Sequence, residues 1–198
     1  GLDEEGRPIS VPPLSLNELE AHPHGVDLGP LQPRLPEVLR TPSGRIEAAP
    51  PEIVADVRRL TALLDDGEDG SLVLVGRRDL RSNNSWMHNV EVLVKGKERC
   101  TLHIHPDDAA PLRLTNGELC VVSSRVGQLE VPVELTVDIA PGVVSLPHGW
   151  GHNQPGTRLA VANERAGVNS NLLTDEDDVE AITGTAVLSG IPVEVARA

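Results

Sequence analysis

The chain has almost no aromatic side chains. Phe and Tyr are absent, and Trp86 and Trp150 are the only large aromatics among 198 residues. A core must therefore be built from Val, Leu, Ile and Ala, which suits a β-rich barrel. Cysteine is nearly absent too. Cys100 and Cys120 are far apart and in no C-x-x-C pattern, which excludes a disulfide scaffold, a structural zinc site or an iron–sulfur site built from this segment alone. Both fall in apolar, strand-like runs and read as small buried hydrophobes. No apolar run reaches membrane-spanning length, and no membrane partner is expected. No signal peptide is visible, which says little about export because the native N-terminus is not in view, and the expected setting is cytoplasmic. The chain does not begin with Met and its one Met is Met87, so it reads as a piece of something larger.

Positive charge is scarce overall. The formal net charge of −13 argues against nucleic acid or an anionic membrane as partner. The distribution is uneven, however. Between Gly76 and Arg99 there are six Lys/Arg and three Asp/Glu, a net of +3, which leaves −16 on the rest. A basic island in an acidic body points to a local site for a compact anion.

Residues 1–50 are rich in Pro and Gly with little periodicity and read as an extended connector. Pro51 opens a helix over about 51–64, with Ile53, Val54, Val57, Leu60 and Leu64 at helical spacing and Asp65-Asp66-Gly67 as its stop. Glu68-Asp69-Gly70 reads as a turn, and a compact domain is expected over 71–198. Strands are predicted at Leu72–Val75, Cys100–Ile104, Leu119–Ser123, 129–137, Val143–Leu146 and Ile191–Val195. The fourth has a clear period of two, with Pro132 on its outer face, where an edge or bulge is expected. Pro106 to Leu114 reads as a short helix with Asp107 and Asp108 in its first turn. Six strands, short helices and long loops predict a small barrel.

Three constellations could carry chemistry. The first is the loop after the first strand, from Gly76 through Arg77, Arg78, Arg81, Ser82, Asn83, Asn84, Ser85 and Trp86 to His88. Arg forks and backbone N–H groups at a strand end bind phosphates, each Arg contact being worth roughly 1.5–3 kcal/mol. The paired asparagines offer donors and acceptors for a heterocycle edge. The second is histidine: His103-x-His105 on a strand, then Pro147-His148-Gly149-Trp150-Gly151-His152. That pattern resembles a cupin metal site, in which His103, His105 and His152 would hold Fe, Mn, Zn or Ni. It lacks the carboxylate cupins place after H-x-H, and hydrogen bonding is the favoured role for these imidazoles. The third is Val168-Asn169-Ser170-Asn171-Leu172-Leu173-Thr174-Asp175, followed by an acidic run read as a solvated turn or a helix start. No Ser/His/Asp or Cys/His set stands at a meaningful spacing.

Taken in order, four motifs resemble the C-terminal domain of the molybdopterin oxidoreductases, the superfamily of DMSO reductase, formate dehydrogenase and nitrate reductase. They are Gly76-Arg77-Arg78 with Ser82 to Asn89, Pro106-Asp107-Asp108-Ala109 through Asn116-Gly117-Glu118, Pro141-Gly142-Val143-Val144 with Pro147-His148-Gly149, and Val168-Asn169 through Thr174-Asp175. The resemblance covers about residues 71–198. It implies a six-stranded double-psi β-barrel that binds molybdopterin guanine dinucleotide around Mo or W. Gly76 to Ser85 would contact the cofactor, with Trp86 and His88 beside them. His148, Trp150 and His152 would face the pterin, and Asn169 or Asn171 would be the late cofactor-contacting amide. The sequence departs from many relatives at Leu80-Arg81-Ser82-Asn83 and at Ala186-Val187-Leu188-Ser189. The metal ligand and any iron–sulfur cysteines would belong to other domains of a parent enzyme. This piece alone would hold the cofactor and would not be a catalyst. A cupin-like metalloenzyme and a barrel serving only protein interaction are the alternatives.

Overall fold

The computed structural model describes residues 14–31, 33–65 and 72–198. The expected helix stop at Asp66-Gly67, the turn at Glu68-Asp69-Gly70 and the domain start at Ser71 lie outside them, as do residues 1–13. The chain divides into two units, one ending at Ala55 and one beginning at Asp56.

In the first unit, the segment read as featureless contains a short helix, α1 (Leu16–Ala21), capped by Ser15, whose hydroxyl accepts from the Glu18 N–H at 3.1 Å. Six residues carry too weak a periodicity to be read from sequence, and the cap is the one local signal. The helix expected from Pro51 is α2 (Pro51–Asp65). Its apolar positions Ile53, Val54, Val57 and Leu60 all stay more than half exposed.

The second unit contains a closed barrel in the order β1-β5-β2-β4-β3-β6. The strands are β1 (Leu72–Arg77), β2 (Leu102–Ile104), β3 (Leu119–Ser123), β4 (Gln128–Leu135), β5 (Val143–Pro147) and β6 (Ile191–Arg197). β1 runs parallel to β5 and β2 parallel to β4, and the other pairs are antiparallel. Two crossed parallel pairs in a closed six-strand sheet make the double-psi barrel that the resemblance implies. Leu129, Val131 and Val133 of β4 point inward with Leu102, Ile104, Cys120, Val122, Val144 and Leu146. Each such side chain contributes about 1.5–3 kcal/mol by leaving water.

Pro132 is a partial correction. β4 is no edge, since it lies between β2 and β3. Yet β2 joins it only from Val133 onward, so the missing N–H of Pro132 falls just outside that ladder.

Between the strands lie α3 (Glu91–Val94), α4 (Pro106–Leu112), α5 (Ala160–Glu164) and a 3-10 turn, Ser170–Leu173. α4 begins where β2 ends. The His105 imidazole accepts from the Asp107 N–H at 3.2 Å, and Arg113 closes the helix in the left-handed region. The Asp108 carboxylate accepts from the Gly142 N–H at 2.8 Å, which ties the helix to the start of β5. Cys100 and Cys120 are free and buried, as expected, and burial pushes both thiols up to about 11.

Candidate functional site

Parallel pairing of β1 with β5 places Gly76 beside Leu146 and Arg77 beside Pro147. Two neighbouring parallel strands therefore end together, and the loops that leave them start side by side. Asn83 and Asn84 both take positive φ, 42° and 63°, a conformation asparagine tolerates better than most residues. That reversal brings the Asn84 carbonyl against Gly149, where any Cβ would overlap it. Gly151 is pressed in the same way, since its Cβ would lie 2.6 Å from that of Asn169. The glycines of the segment 147–152 therefore let three loops pack backbone to backbone.

Side chains fasten the same loops. The Asn84 side-chain oxygen accepts from Arg78 Nη1 at 2.8 Å and lies 3.1 Å from His148 Nε2. Beside it runs a line of polar groups, buried at Ser82 and His88 and half-buried at His152. Ser82 Oγ is 2.7 Å from His88 Nε2, and His88 Nδ1 is 2.7 Å from His152 Nε2. The His88 ring stacks on Trp150 with centroids 3.9 Å apart. Burial lowers the His88 pKa to about 4, and the nearby His152 and Arg99 act in the same direction against Asp79. Burial lowers His152 as well. Both imidazoles are therefore neutral near pH 7. The Trp150 indole N–H is buried without a hydrogen-bond partner among the described residues.

In front of these loops lies a cleft of about 410 Å³, within the usual range of about 300–1,000 Å³ for small-molecule sites. Leu74, Leu146 and Ile191 contribute apolar surface. Gly76, Arg77 and Arg78 come from the end of β1, His148 from the end of β5, Ser170, Asn171 and Thr174 from the 3-10 segment, and Leu188 and Ser189 from the approach to β6. Of the residues singled out from sequence, Gly76, Arg77, Arg78, His148 and Asn171 thus meet around one space.

The others are placed differently. Ser82, His88, Trp150 and His152 form the layer that joins the loops. Asn169 caps the 3-10 turn, its side chain accepting from the Asn171 N–H at 3.1 Å. Trp86 is 80% exposed, while Trp150 is 6% exposed and packs with Val94 and Cys100. Arg81, Asn83 and Ser85 do not line the cleft.

Arg77 turns its guanidinium into the barrel wall. It donates to the Ser145 carbonyl at 2.6 Å, the Thr101 carbonyl at 2.8 Å and the Arg99 carbonyl at 3.3 Å. Arg78 is the exposed cation at the cleft. Ser170 and Thr174 lay within the third constellation without being singled out beside Asn171, and sequence reasoning missed Leu74, Leu146, Leu188, Ser189 and Ile191 as cleft residues. The one signal, for Leu188 and Ser189, was that Ala186 to Ser189 departs from the pattern of relatives. Ser189 Oγ accepts from the Gly76 N–H at 3.3 Å.

The cupin arrangement does not form. β2 ends at Ile104, so His105 leaves the strand to cap α4 instead of sharing a face with His103. His103 Nε2 lies 3.5 Å from a Glu134 carboxylate oxygen, and His152 pairs with His88. Among the described residues no group of three His, Cys, Asp or Glu side chains could hold a metal ion.

The family described as "Molydopterin dinucleotide binding domain" matches residues 72–192. The chain belongs to this family. Curated relatives agree with it. A tetrathionate reductase polypeptide of Salmonella typhimurium is 27% identical over 111 residues, 48% of this chain and 11% of that protein. The molybdopterin-containing polypeptide ArrA of the arsenate respiratory reductase of Chrysiogenes arsenatis is 29% identical over 59% of this chain and 14% of its own length. The alpha polypeptide of the F420-dependent formate dehydrogenase of Methanocaldococcus jannaschii is 39% identical over 54 residues, 8% of its length. The chain thus spans a small fraction of the relatives it matches. Acetylene hydratase from Pelobacter acetylenicus shares the fold, with a TM-score of 0.55 at 20% identity, over 73% of this chain and 20% of that one. Among the described residues no helix is long and apolar enough to cross a membrane.

The cleft suits the dinucleotide for which this domain family is named. A cationic fork at Arg78 fits a phosphate, and the amide and hydroxyls of Asn171, Ser170, Thr174 and Ser189 fit a polar heterocycle and sugar. The apolar faces of Leu74, Leu146 and Ile191 fit the flat side of a ring.

Proposed function

We propose that residues 71–198 are the cofactor-holding domain of a molybdenum or tungsten oxidoreductase, with residues 1–70 as connector. The observation that carries this reading is the convergence of Arg78 and Asn171, 93 positions apart in sequence, on one cleft at the ends of two parallel strands. Molybdopterin guanine dinucleotide is the cofactor that the family and its relatives support. Arg78 holds phosphate, Asn171, Ser170 and Thr174 meet the nucleoside, and the loop layer of Ser82, His88, Trp150 and His152 keeps these groups in place. When bound, the cofactor supplies the redox chemistry through its metal. The domain binds and orients it.

The remaining domains of the parent enzyme are the partners in this reading. They supply the metal ligand and the substrate pocket, and the chain alone is not a catalyst. The relatives reduce tetrathionate or arsenate or act on formate by name, so the substrate is set outside this domain. Two free buried thiols suit a reducing compartment, and we infer the cytoplasm.

Calorimetric titration of the 198-residue chain with GDP tests the reading. Binding that is weakened at least tenfold in Arg78→Ala supports it. Wild-type chain that takes up no GDP at millimolar concentration, or an Arg78→Ala variant that binds as the wild type does, overturns this assignment of the cleft.

A further inference from the structure

The part of the cleft wall formed by residues 170–174 is short and has little structure of its own. Ser170–Leu173 is a single 3-10 turn, flanked by Asn169 and Thr174. Leu173 anchors it in the core, while Asn171 and Leu172 are exposed. What holds it on the outer side is the tight β3–β4 hairpin, where the Ser124 N–H donates to the Gly127 carbonyl at 2.8 Å. Gly127 lies so close to the Leu172 carbonyl that any Cβ would overlap its oxygen. From the same hairpin Arg125 reaches the far side of the turn. Its Nε donates to the Asp175 carboxylate, and its Nη2 lies 3.5 Å from Asp177. The guanidinium holds the Asp175 carboxyl below its ordinary range. Thr174 Oγ1 donates to the Asn171 carbonyl at 2.8 Å, so the segment that Arg125 grips is bonded directly to the residue facing the cleft.

We propose that Arg125 and Gly127 are positioning residues for the nucleoside end of the cleft: the hairpin clamps the segment 170–175 and thereby aims Asn171, Ser170 and Thr174. The proposal rests on the reading of the cleft as the dinucleotide site. Neither residue touches the cleft, and both lie more than 40 positions from the segment they hold. The clamp acts on the segment that meets base and sugar and makes no bond to Arg78, which stands after β1 and bonds to Asn84. That division sets the test.

GDP and inorganic pyrophosphate are titrated into the 198-residue wild-type chain and into Arg125→Ala, Arg125→Lys, Asp175→Asn and Gly127→Ala, with the unfolding temperature of each recorded. Arg125 is exposed, so its removal leaves the fold intact even if Gly127→Ala does not fold. Expected is a loss of about tenfold in GDP affinity for Arg125→Ala and Asp175→Asn, corresponding to about 1.4 kcal/mol. Arg125→Lys recovers part of it, and pyrophosphate binds all variants as it binds the wild type. Unchanged GDP binding in a folded Arg125→Ala chain overturns the clamp. So does an equal loss of GDP and pyrophosphate, which would mean general damage rather than aim. Wild-type chain that binds neither probe overturns the reading of the cleft, and the clamp with it.

Discussion

His88 Nδ1 and His152 Nε2 face each other at 2.7 Å, with Ser82 Oγ at the same distance on the other side of the His88 ring. At that separation one imidazole donates and the other accepts, so the bond is lost once both rings are protonated. His88 belongs to the loop after β1 and His152 to the loop after β5. One hydrogen bond between neutral rings thus joins the two loops that border the cleft, and Trp150 stacks against its inner end.

Acid should therefore loosen the site before it unfolds the barrel. The His88 pKa is about 4 in the folded chain, against 6.5 ordinarily. The unfolded chain takes up the proton first. The stability associated with neutral His88 is complete above about pH 6.5 and is lost as pH falls from there towards 4. A shift of this size corresponds to roughly 3 kcal/mol. Thermal unfolding recorded between pH 7.5 and 4 should show this slope. A His88→Ala variant should be less stable at pH 7.5 and should have a flatter profile. A parallel profile for the variant would refute the assignment.

Gly149→Ala should be costly for two reasons. Its φ is +87°, and a Cβ would overlap the Asn84 carbonyl. A loss of about 1–3 kcal/mol is expected, the usual size for left-handed strain or overpacking. For a chain of this length that lowers the unfolding temperature by very roughly 2–12 °C. Gly156, also at positive φ but with open space around it, should lose less when changed to Ala. Equal losses at both positions would show that the packing against Asn84 is not what matters.

Arg77 and Arg78 are adjacent yet should fail in different assays. Arg77→Ala leaves the carbonyls of Ser145 and Thr101 without this donor inside the wall, at a cost of about 1–3 kcal/mol in stability. Arg78→Ala should leave the unfolding temperature within about 2 °C, since exposed positions seldom contribute more. The second variant should lose GDP affinity while keeping its fold. Calorimetric melting and titration of the two proteins side by side check the contrast.

The two thiols should be inert in the native chain. Burial raises Cys100 and Cys120 to about 11, so little thiolate forms at pH 8. Reaction with a disulfide reagent should be slow in buffer and rapid in denaturant. Rapid labelling of either cysteine in the folded chain would contradict the burial described.

The strands were legible because their pattern is local. Alternation along residues 129–137 and the apolar run at Leu72 each state their own structure. Half of the strand ends coincide with expectation and the others differ by one or two residues, as where β1 runs on through Gly76 to Arg77. The loop from Gly76 to Asn89 was legible as a site, yet not in its internal division. Sequence treats Arg77 and Arg78 alike, and Trp86 and Trp150 alike. An extended backbone sends neighbouring side chains to opposite faces, so one arginine enters the wall and the next meets the cleft. The left-handed pair Asn83-Asn84 then reverses the chain, leaving Trp86 outside and His88 inside. Leu188, Ser189 and Ile191 reach the same cleft through the pairing of β6 with β1, a contact across more than 100 positions that no local pattern records.

By itself the sequence determined a β-barrel poor in aromatics, a basic loop at a strand end in an acidic chain, and a set of motifs whose order names the family. Those properties depend on period, composition and order, which are written along the chain. Tertiary structure decided which polar groups face the cleft and which hold it. It set Ser82, His88 and His152 in one line, drew His105 away from His103, and brought Arg125 to Asp175. Such pairings depend on how closed strands and reversed loops place distant residues within about 3 Å, the reach of a hydrogen bond.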